Sequence, residues 1–372
     1  MNEKSYTELS VNEMFDFPGK SNCLQKVWGY GVDQSPIVSI KVGGTVKPSV
    51  LICAGVHAHE SAGVFAALEL IRHLDTQLEV SILPLRDPFG FSGVKHCLRI
   101  ASGLSVELNS HSDAFRFLEK HGTKLLKIDD LEIFLLGKFG FIWYPIQSGL
   151  EGFEYVNNRM KILLKKETQK LRLLRGKSVM LLNPAVDYEG SREMQRCWHA
   201  FVDDEGAWKN LNRFPESGYI PSEVRAMQNM FSTINPGLII DLQEDGASGF
   251  WLAAPPQDNM AVLQIGKAML ETFMQNKYSI YTVHSMSRDG HRDLEIPGFL
   301  EVECSHPGFF WMKQDLMQEG SNLLSFAAQK CTAIGVEAPL ILPLKERVNG
   351  IVEGVKAGIR AWEEVIRLKK EY

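Results

Sequence analysis

The sequence predicts an α/β protein in which strands of a mostly parallel sheet alternate with amphipathic helices. Residues 49–54 form an apolar run that is too short for a helix and is typical of a strand buried on both faces. In the following segment, residues 61–74, the spacing of the apolar residues changes to that of a helix. Val64, Leu68 and Ile71 recur there at helical spacing, which makes one face apolar. This alternation favours a sheet covered by helices.

The other elements follow from the same patterns and from the turn signals between them. The segment Asp87-Pro88-Phe89-Gly90 is a strong turn signal after a short apolar run. Ser222 can cap a helix that Asn235-Pro236-Gly237 ends. The predicted strands cover residues 37–42, 49–54, 80–85, 238–242, 278–283 and 299–304. The predicted helices cover residues 61–74, 151–175, a segment that begins at 222, and 348–366.

The chain of 372 residues contains no repeat, no low-complexity tract and no convincing linker. We therefore expect residues 1–372 to form a single domain. Residues 139–180 combine an apolar segment with a basic, amphipathic helix and are interpreted as a helical insertion beside the sheet. An ordinary packed surface helix explains the same pattern.

Composition excludes several classes of partner and location. A net charge of -5 and a pI near 6.1 give no reason to expect nucleic acid. No apolar run approaches the roughly 18–20 residues of a membrane span, and the polar N-terminus does not lead into a signal peptide. The 6 cysteines are scattered without a CxxC pair, which indicates reduced thiols and a cytoplasmic protein. The oligomeric state stays open.

The turn after residues 49–54 carries the first candidate site. Gly55 ends the strand, and His57 and Glu60 follow immediately before the helix. An imidazole and a carboxylate at this spacing can converge on one divalent ion, and both suit zinc. A catalytic zinc also needs a third protein ligand and an open position. The alternative is a purely structural role, with His57 satisfied in the turn and Glu60 near the positive start of the helix.

The segment 54–63 resembles the HxxE metal motif of the zinc carboxypeptidases and of the related aspartoacylase and succinylglutamate desuccinylase group. Three later segments follow in the family's order. Residues 83–91 are similar to its strand and Asn-Pro-x-Gly-aromatic turn, with Asp87 in place of Asn. Asn212-Arg213 matches its Asn-Arg pair, and residues 299–304 resemble the strand that ends in its general base. The resemblance spans about residues 35–310 and implies a three-layer α/β/α sandwich with a mixed, mostly parallel sheet.

The Asn-Arg pair of this family holds a substrate carboxylate, which the resemblance transfers to Asn212 and Arg213. A guanidinium is a planar fork of donors that suits a carboxylate, and an amide adds directional hydrogen bonds. The alternative for Arg213 is a surface ion pair with Glu216 or Asp204.

Glu303 is the predicted catalytic residue. It lies on an otherwise apolar strand, where an ionised carboxylate needs a partner or a task. The resemblance implies that it takes a proton from metal-bound water and passes it to the leaving group. Glu301 lies on the same face of the strand, because side chains alternate. Glu303 is preferred because it is nearer the C-terminal end of that strand.

The third metal ligand departs from the family's pattern. Gln243 follows Ile-Asp-Leu, where the family has a histidine. An amide oxygen is a poorer zinc ligand than imidazole but can complete a site. Three alternatives follow: Gln243 ligates directly, a nearby group substitutes for it, or the site is poor in metal. The candidate substitutes are Glu244, Asp245, His59 and His306.

Other polar residues give weaker signals. Asn210 stands where many relatives have an Asp that orients the first histidine. Arg192 and Arg196 are alternatives for the arginine that polarises the scissile carbonyl. For Tyr278 and Tyr281, core packing is favoured over a role in the site. Three histidines have no supporting context and are expected to be satisfied polar residues: His96, His199 and His291.

The resemblance implies a metal-dependent hydrolase that cleaves a peptide or amide bond next to a free carboxylate, with one zinc ion, weakly bound or replaced by another divalent metal, as cofactor. A small peptide or an N-acyl amino acid is the expected substrate. The lack of a β-rich C-terminal extension favours a peptide, including a cell-wall peptide. The alternative is a catalytically impaired or metal-free relative that binds a carboxylate ligand. No GxSxG elbow or Walker-type run supports an unrelated hydrolase.

Overall fold

The computed structural model describes residues 24–144, 149–166, 168–182, 196–215, 217–256, 260–282, 299–301, 307–312 and 321–371. The strands are, in chain order, β1 Leu24–Tyr30, β2 Pro36–Gly43, β3 Val46–Ala54, β4 Leu78–Leu83, β5 Thr123–Ile128, β6 Leu131–Leu136, β7 Phe139–Trp143, β8 Lys177–Leu182, β9 Trp198–Val202, β10 Trp208–Asn210, β11 Leu238–Asp245, β12 Trp251–Ala254, β13 Phe299–Glu301, β14 Phe309–Met312 and β15 Thr332–Pro339. The α-helices are α1 Ser61–His73, α2 Pro88–Phe91, α3 Gly93–Ser102, α4 His111–His121, α5 Gly149–Lys165, α6 Ser222–Ile234, α7 Met260–Gln275, α8 Leu323–Ala328 and α9 Leu344–Glu371.

The main sheet has nine strands in the order β1-β2-β4-β3-β11-β15-β12-β14-β13. Its four central strands, β4, β3, β11 and β15, run parallel to one another. Beyond them β12 and β14 are also parallel, and the other neighbours are antiparallel. The predicted α/β class with a mixed sheet is confirmed, and continuous parallel pairing is limited to the centre.

Helices cover both faces of this sheet and give the predicted three layers. Helices α1, α7 and α9 bury their apolar side chains with one face, and α6 and α8 with the other. Helix α1 lies very close to β11, because a Cβ on Gly63 would be 2.9 Å from the Leu242 carbonyl oxygen. Only glycine permits this approach at the start of α1.

A second sheet, which the sequence analysis did not predict, has six strands in the order β10-β9-β8-β7-β6-β5. Within it β7 and β8 are parallel and the other neighbours are antiparallel. The region interpreted as a helical insertion, residues 139–180, supplies β7 and part of β8 as well as α5 and a 3-10 turn at Leu171–Leu174. That residues 1–372 form a single domain stays a prediction.

The strand predicted at residues 278–283 is wrong for its described part, residues 278–282. Ile280 makes one isolated bridge to Phe250, just before β12. Strand β12 pairs with β15 on one edge and β14 on the other, so it has no free edge for a further strand. Among the helices that the structure describes, none is both long enough and apolar enough to span a bilayer.

Candidate active site

The four parallel strands at the centre of the main sheet end at one edge, where α/β proteins collect their functional groups. His57 follows β3 and Arg86 follows β4. Gln243 lies near the end of β11, and its register partner on β15 is Glu337. The topology therefore brings four chemically useful side chains to the same edge.

His57 and Glu60 are in direct contact. The distance between His57 Nδ1 and Glu60 Oε1 is 2.6 Å, and the side chains are 13% and 6% exposed. Burial, assisted by the positive charge of Arg86, lowers the pKa of His57 to about 3. The imidazole is therefore neutral, which is the form that binds metals.

Glu60 is the carboxylate of this turn, and burial raises its pKa well above the ordinary value. Its second oxygen, Oε2, accepts a hydrogen bond of 3.3 Å from the backbone N–H of Glu244 on β11. Glu60 thus connects the turn after β3 with the neighbouring strand, on which Gln243 lies.

Gln243 is buried at this edge, 6% exposed. Its amide lies beside Asp241 and opposes the rise in the pKa of that carboxyl group, which burial causes. Among the described residues, Gln243 Nε2 makes no hydrogen bond within normal distance and angle limits. The position is close to Glu60, because the next residue, Glu244, bonds to it.

The oxygens of two suggested substitutes for Gln243 already have partners. Glu244 forms a buried ion pair with Arg347 and accepts a 2.7 Å hydrogen bond from the backbone of α1. Asp245 accepts hydrogen bonds from Trp251 Nε1 at 3.0 Å and from a backbone N–H at 2.9 Å. His59 lies closer to the pair, with Nε2 at 3.8 Å from Glu60 Oε1. The remaining candidate, His306, lies outside the described residues.

Trp198 covers these histidines from β9 of the second sheet. Its ring stacks on His57 with centroids 4.5 Å apart and on His59 with centroids 4.4 Å apart. Two atoms facing this region, His57 Nε2 and His59 Nδ1, are buried without a hydrogen-bond partner in the described part of the chain. The site is therefore assembled from both sheets.

Arg86 is a buried cation that the sequence analysis did not single out. Its Nη1 is 3.5 Å from Asp241 Oδ1, and the guanidinium donates two 3.3 Å hydrogen bonds to Asn212 Oδ1. The same Asn212 oxygen accepts a 3.3 Å hydrogen bond from the backbone N–H of Leu323. Asn212, a predicted substrate-binding residue, is thus fixed in place by its oxygen.

Arg213, the other predicted substrate-binding residue, follows in a turn. Its charge contributes to the lowered pKa of His57, and its Nη1 donates a 3.1 Å hydrogen bond to the Asn212 carbonyl oxygen. Asn210 does not orient His57 as its position suggested. Its Oδ1 instead accepts a 2.8 Å hydrogen bond from the backbone N–H of Asn212, which stabilises the turn.

Glu337 is the carboxyl group that the sequence analysis missed. Burial and the carboxylates around it, Asp245 and Glu60 among them, raise its pKa well above the ordinary value. Glu303 lies outside the described residues, and its role stays a prediction. The strand that leads toward it, β13, is at the far edge of the sheet, with three strands between it and β11. A lone glutamate in the apolar run 332–339 was the available signal for Glu337.

The remaining candidates that the structure describes have other partners. Arg196 donates a 3.0 Å hydrogen bond to the Phe91 carbonyl oxygen and lies over the Phe91 ring at 3.6 Å. Tyr281 is buried against Phe310, with ring centroids 5.7 Å apart. His96 pairs with Asp33 at 2.7 Å. Two further candidates lie outside the described residues: Arg192 and His291.

No protein-family model matches the sequence, and no curated protein matches it. Several solved structures are similar. A metallo-carboxypeptidase from Burkholderia cenocepacia is 14% identical over 95% of this chain and 67% of that one, with a TM-score of 0.45. Carboxypeptidase A from Helicoverpa armigera is 10% identical over 91% and 68%, with a TM-score of 0.46. Murein-tripeptide amidase MpaA from Escherichia coli O157 is 12% identical over 95% and 97%, with a TM-score of 0.41. Likeness at this low level carries no argument about activity.

Proposed function

We propose that this chain is a metal-dependent hydrolase of the zinc carboxypeptidase type, which cleaves a peptide or amide bond next to a free carboxylate. One observation carries the proposal. His57 and Glu60 meet at 2.6 Å beside β11 and β15, whose residues Gln243 and Glu337 are register partners. A neutral imidazole, a carboxyl group and an amide at the carboxyl edge of a parallel sheet form a metal-ligand set, with a further carboxyl group beside it.

The donor set fits one divalent ion. His57, Glu60 and Gln243 would hold it, through an imidazole nitrogen, a carboxylate oxygen and an amide oxygen. The fit is supported by His57 Nε2, a buried ring nitrogen without a hydrogen-bond partner among the described residues. When bound, the ion would polarise the scissile carbonyl group and lower the pKa of a water molecule.

Glu337 is the residue that we assign to proton transfer. Its raised pKa brings the carboxyl group toward the working range of a general base and acid. It would accept a proton from the attacking water and donate it to the leaving amine. We prefer it to Glu303 because β15 adjoins β11, whereas β13 is four strand spacings from β11, or about 19 Å.

Arg213 and Asn212 would bind the free carboxylate of the substrate. Arg213 supplies the planar donors. Arg86 holds Asn212 through its side-chain oxygen, so the Asn212 NH₂ group is directed away from Arg86. These roles of Arg213 and Asn212 require a substrate with a carboxylate near the scissile bond, as in a small peptide or an N-acyl amino acid.

The test is hydrolysis of N-blocked dipeptides and of the same dipeptides as C-terminal amides, with protein supplied with zinc. We expect cleavage of the free acids only, and its loss in His57→Ala together with the loss of one equivalent of zinc. The proposal fails if the wild-type protein retains no stoichiometric metal while His57→Ala changes neither metal content nor activity.

A second candidate is a carboxylate-binding protein without catalysis. Gln243 in place of a histidine favours it because an amide oxygen is a weaker zinc ligand. The stacking of Trp198 on His57 and His59 favours it because the indole covers both imidazoles. Calorimetry with N-acetylated amino acids separates the two functions. Binding that survives chelation and is lost in Arg213→Lys, without turnover, supports the second.

A further inference from the structure

A second group of ionisable side chains is buried between the two sheets. Asp87 comes from the turn after β4, His199 from β9 and Glu223 from the first turn of α6. Their exposed fractions are 0%, 2% and 3%. We propose that Asp87, His199 and Glu223 form a binding site for a second divalent metal ion, of the zinc or manganese class.

The geometry of the three side chains suits a single ion. One ligand atom from each lies within 4.8 Å of the other two. His199 Nδ1 and Asp87 Oδ1 are already 3.0 Å apart. Because metal–ligand bonds of this class are about 2.1 Å and zinc is usually tetrahedral, two ligands of one ion are about 3.4 Å apart. The pair at 3.0 Å already meets this spacing, and the third side chain would move inward by at most about 1.4 Å.

Atoms left without partners provide an independent observation. Asp87 Oδ2 and His199 Nε2 are buried and make no hydrogen bond within the described part of the chain. A buried polar atom without a partner costs about 1–3 kcal/mol, more when it is charged. Two of them in one cluster of three residues indicate that the described part of the chain does not supply the full set of partners.

Glu223 retains capacity for a ligand although its oxygens have partners. Oε1 accepts a 2.8 Å hydrogen bond from the Val32 N–H and Oε2 a 3.1 Å bond from the Ser222 hydroxyl. Each carboxylate oxygen can accept more than one bond, so either can also ligate. Such supporting hydrogen bonds orient ligands in metal sites.

The cluster is separate from the pair at His57. Trp198 and His199 are adjacent on β9 and therefore lie on opposite faces of that strand. Trp198 stacks on His57, whereas His199 contacts Asp87. Asp87 is also the residue that departs from the Asn of the family's turn, which adds a negative charge at this position. One imidazole with two carboxylates is a set of nitrogen and oxygen donors that suits zinc and manganese.

Zinc content, measured by mass spectrometry after dialysis of the full chain, tests the site. The matched variants are Asp87→Asn, which keeps an oxygen acceptor for the Gly90 N–H at 3.0 Å, and Glu223→Gln. Glu132→Gln is the control, because Glu132 pairs with Lys124 and Lys127 away from the cluster. We expect two equivalents in the wild type and the control, and one in each of Asp87→Asn, Glu223→Gln and His57→Ala.

Failure of this site and failure of the proposed active site give different results. A single equivalent that survives His57→Ala and disappears in Glu223→Gln supports the cluster and overturns the metal site at His57. A single equivalent that disappears in His57→Ala overturns the cluster. If the cluster variants do not fold by circular dichroism, zinc is added to the His57→Ala protein. A rise in its Tm then supports the cluster, and an unchanged Tm with no bound zinc overturns it.

Discussion

Two ion pairs, one at the carboxyl edge of the nine-stranded sheet and one on the six-stranded sheet, differ in how far their charges are removed from water. At the carboxyl edge of the nine-stranded sheet, Glu244 and Arg347 form an ion pair with side chains 0% and 2% exposed. On the six-stranded sheet, Glu132 pairs with Lys124 and Lys127, whose side chains are 39% and 64% exposed. The first pair is removed from water on both sides, whereas the lysines of the second stay hydrated around a buried Glu132.

Buried charges are expensive, so their concentration at one edge requires an explanation. Desolvating two ions can cost more than their attraction returns, and structures retain such pairs where a specific arrangement is needed. Perturbed ionisable groups cluster at functional sites for the same reason. The buried pair and the perturbed groups beside it therefore make the carboxyl edge of the nine-stranded sheet a candidate functional region.

The largest expected effect is on catalysis at the buried edge. Glu337→Gln removes the proposed proton acceptor and should lower kcat by about 10²–10⁴-fold, with zinc content unchanged. Glu303→Gln is the matched comparison and should leave kcat within a few-fold of wild type. A large loss in Glu303→Gln with an active Glu337→Gln would reverse the assignment and restore the sequence-based choice.

The next effect is on stability. Arg347→Met leaves Glu244 buried without its cation and should lower the free energy of unfolding by about 3–5 kcal/mol, measured by urea denaturation. The double variant Arg347→Met with Glu244→Gln should recover part of the loss, because no unpaired charge remains. A loss below about 1 kcal/mol, the value for exposed pairs, would show that this edge is not different from the surface.

Gln243→His tests the same edge of the nine-stranded sheet through its zinc affinity, and a smaller effect is expected. An imidazole is a better zinc ligand than an amide oxygen, so affinity should rise by about tenfold or more, equivalent to roughly 1.4 kcal/mol. Competition with a chelator of known affinity measures it. Unchanged affinity would mean that this side chain does not reach the ion.

The smallest effect is expected on the six-stranded sheet. Burial raises the pKa of Glu132, but hydrogen bonds from Lys124 and Lys127 outweigh it and hold the pKa below its usual value of 4.5. The stabilisation is therefore present at neutral pH and is lost as pH falls through the lowered pKa. Glu132→Gln should cost no more than about 1 kcal/mol at pH 7 and progressively less in acid. A difference that grows in acid would contradict this sign.

The sequence predicted those parts of the fold that depend on local patterns. Strand β3, the turn with His57 and Glu60, helix α1 and the closing helix α9 all lie where periodicity and turn signals placed them. The six-stranded sheet was missed because its short strands lie among helical segments, although β5, β6 and β7 pair with their neighbours in the chain. Glu337 was missed for a related reason. Sheet order decides which strand adjoins β11, and sequence pattern carries no record of that order.

The site residues also divide into contacts that local sequence predicts and contacts that depend on how distant segments pack. Contact between His57 and Glu60 could be anticipated because both lie on one turn. The bonds of Arg86 to Asn212 could not, because they join the turn after β4 to a loop beyond the second sheet.

The stacking of Trp198 on His57 also has a consequence for how the chain folds. The two rings come from segments far apart in the sequence, and Glu337, whose pKa is raised by burial and by the Glu60 carboxylate, comes from near the end of the chain. Contacts between distant segments carry a large loop-closure entropy, which slows their formation. The candidate active site is therefore complete only after β9 and β15 have both docked. Recovery of zinc binding during refolding should lag behind the recovery of helical circular dichroism and report the completion of folding.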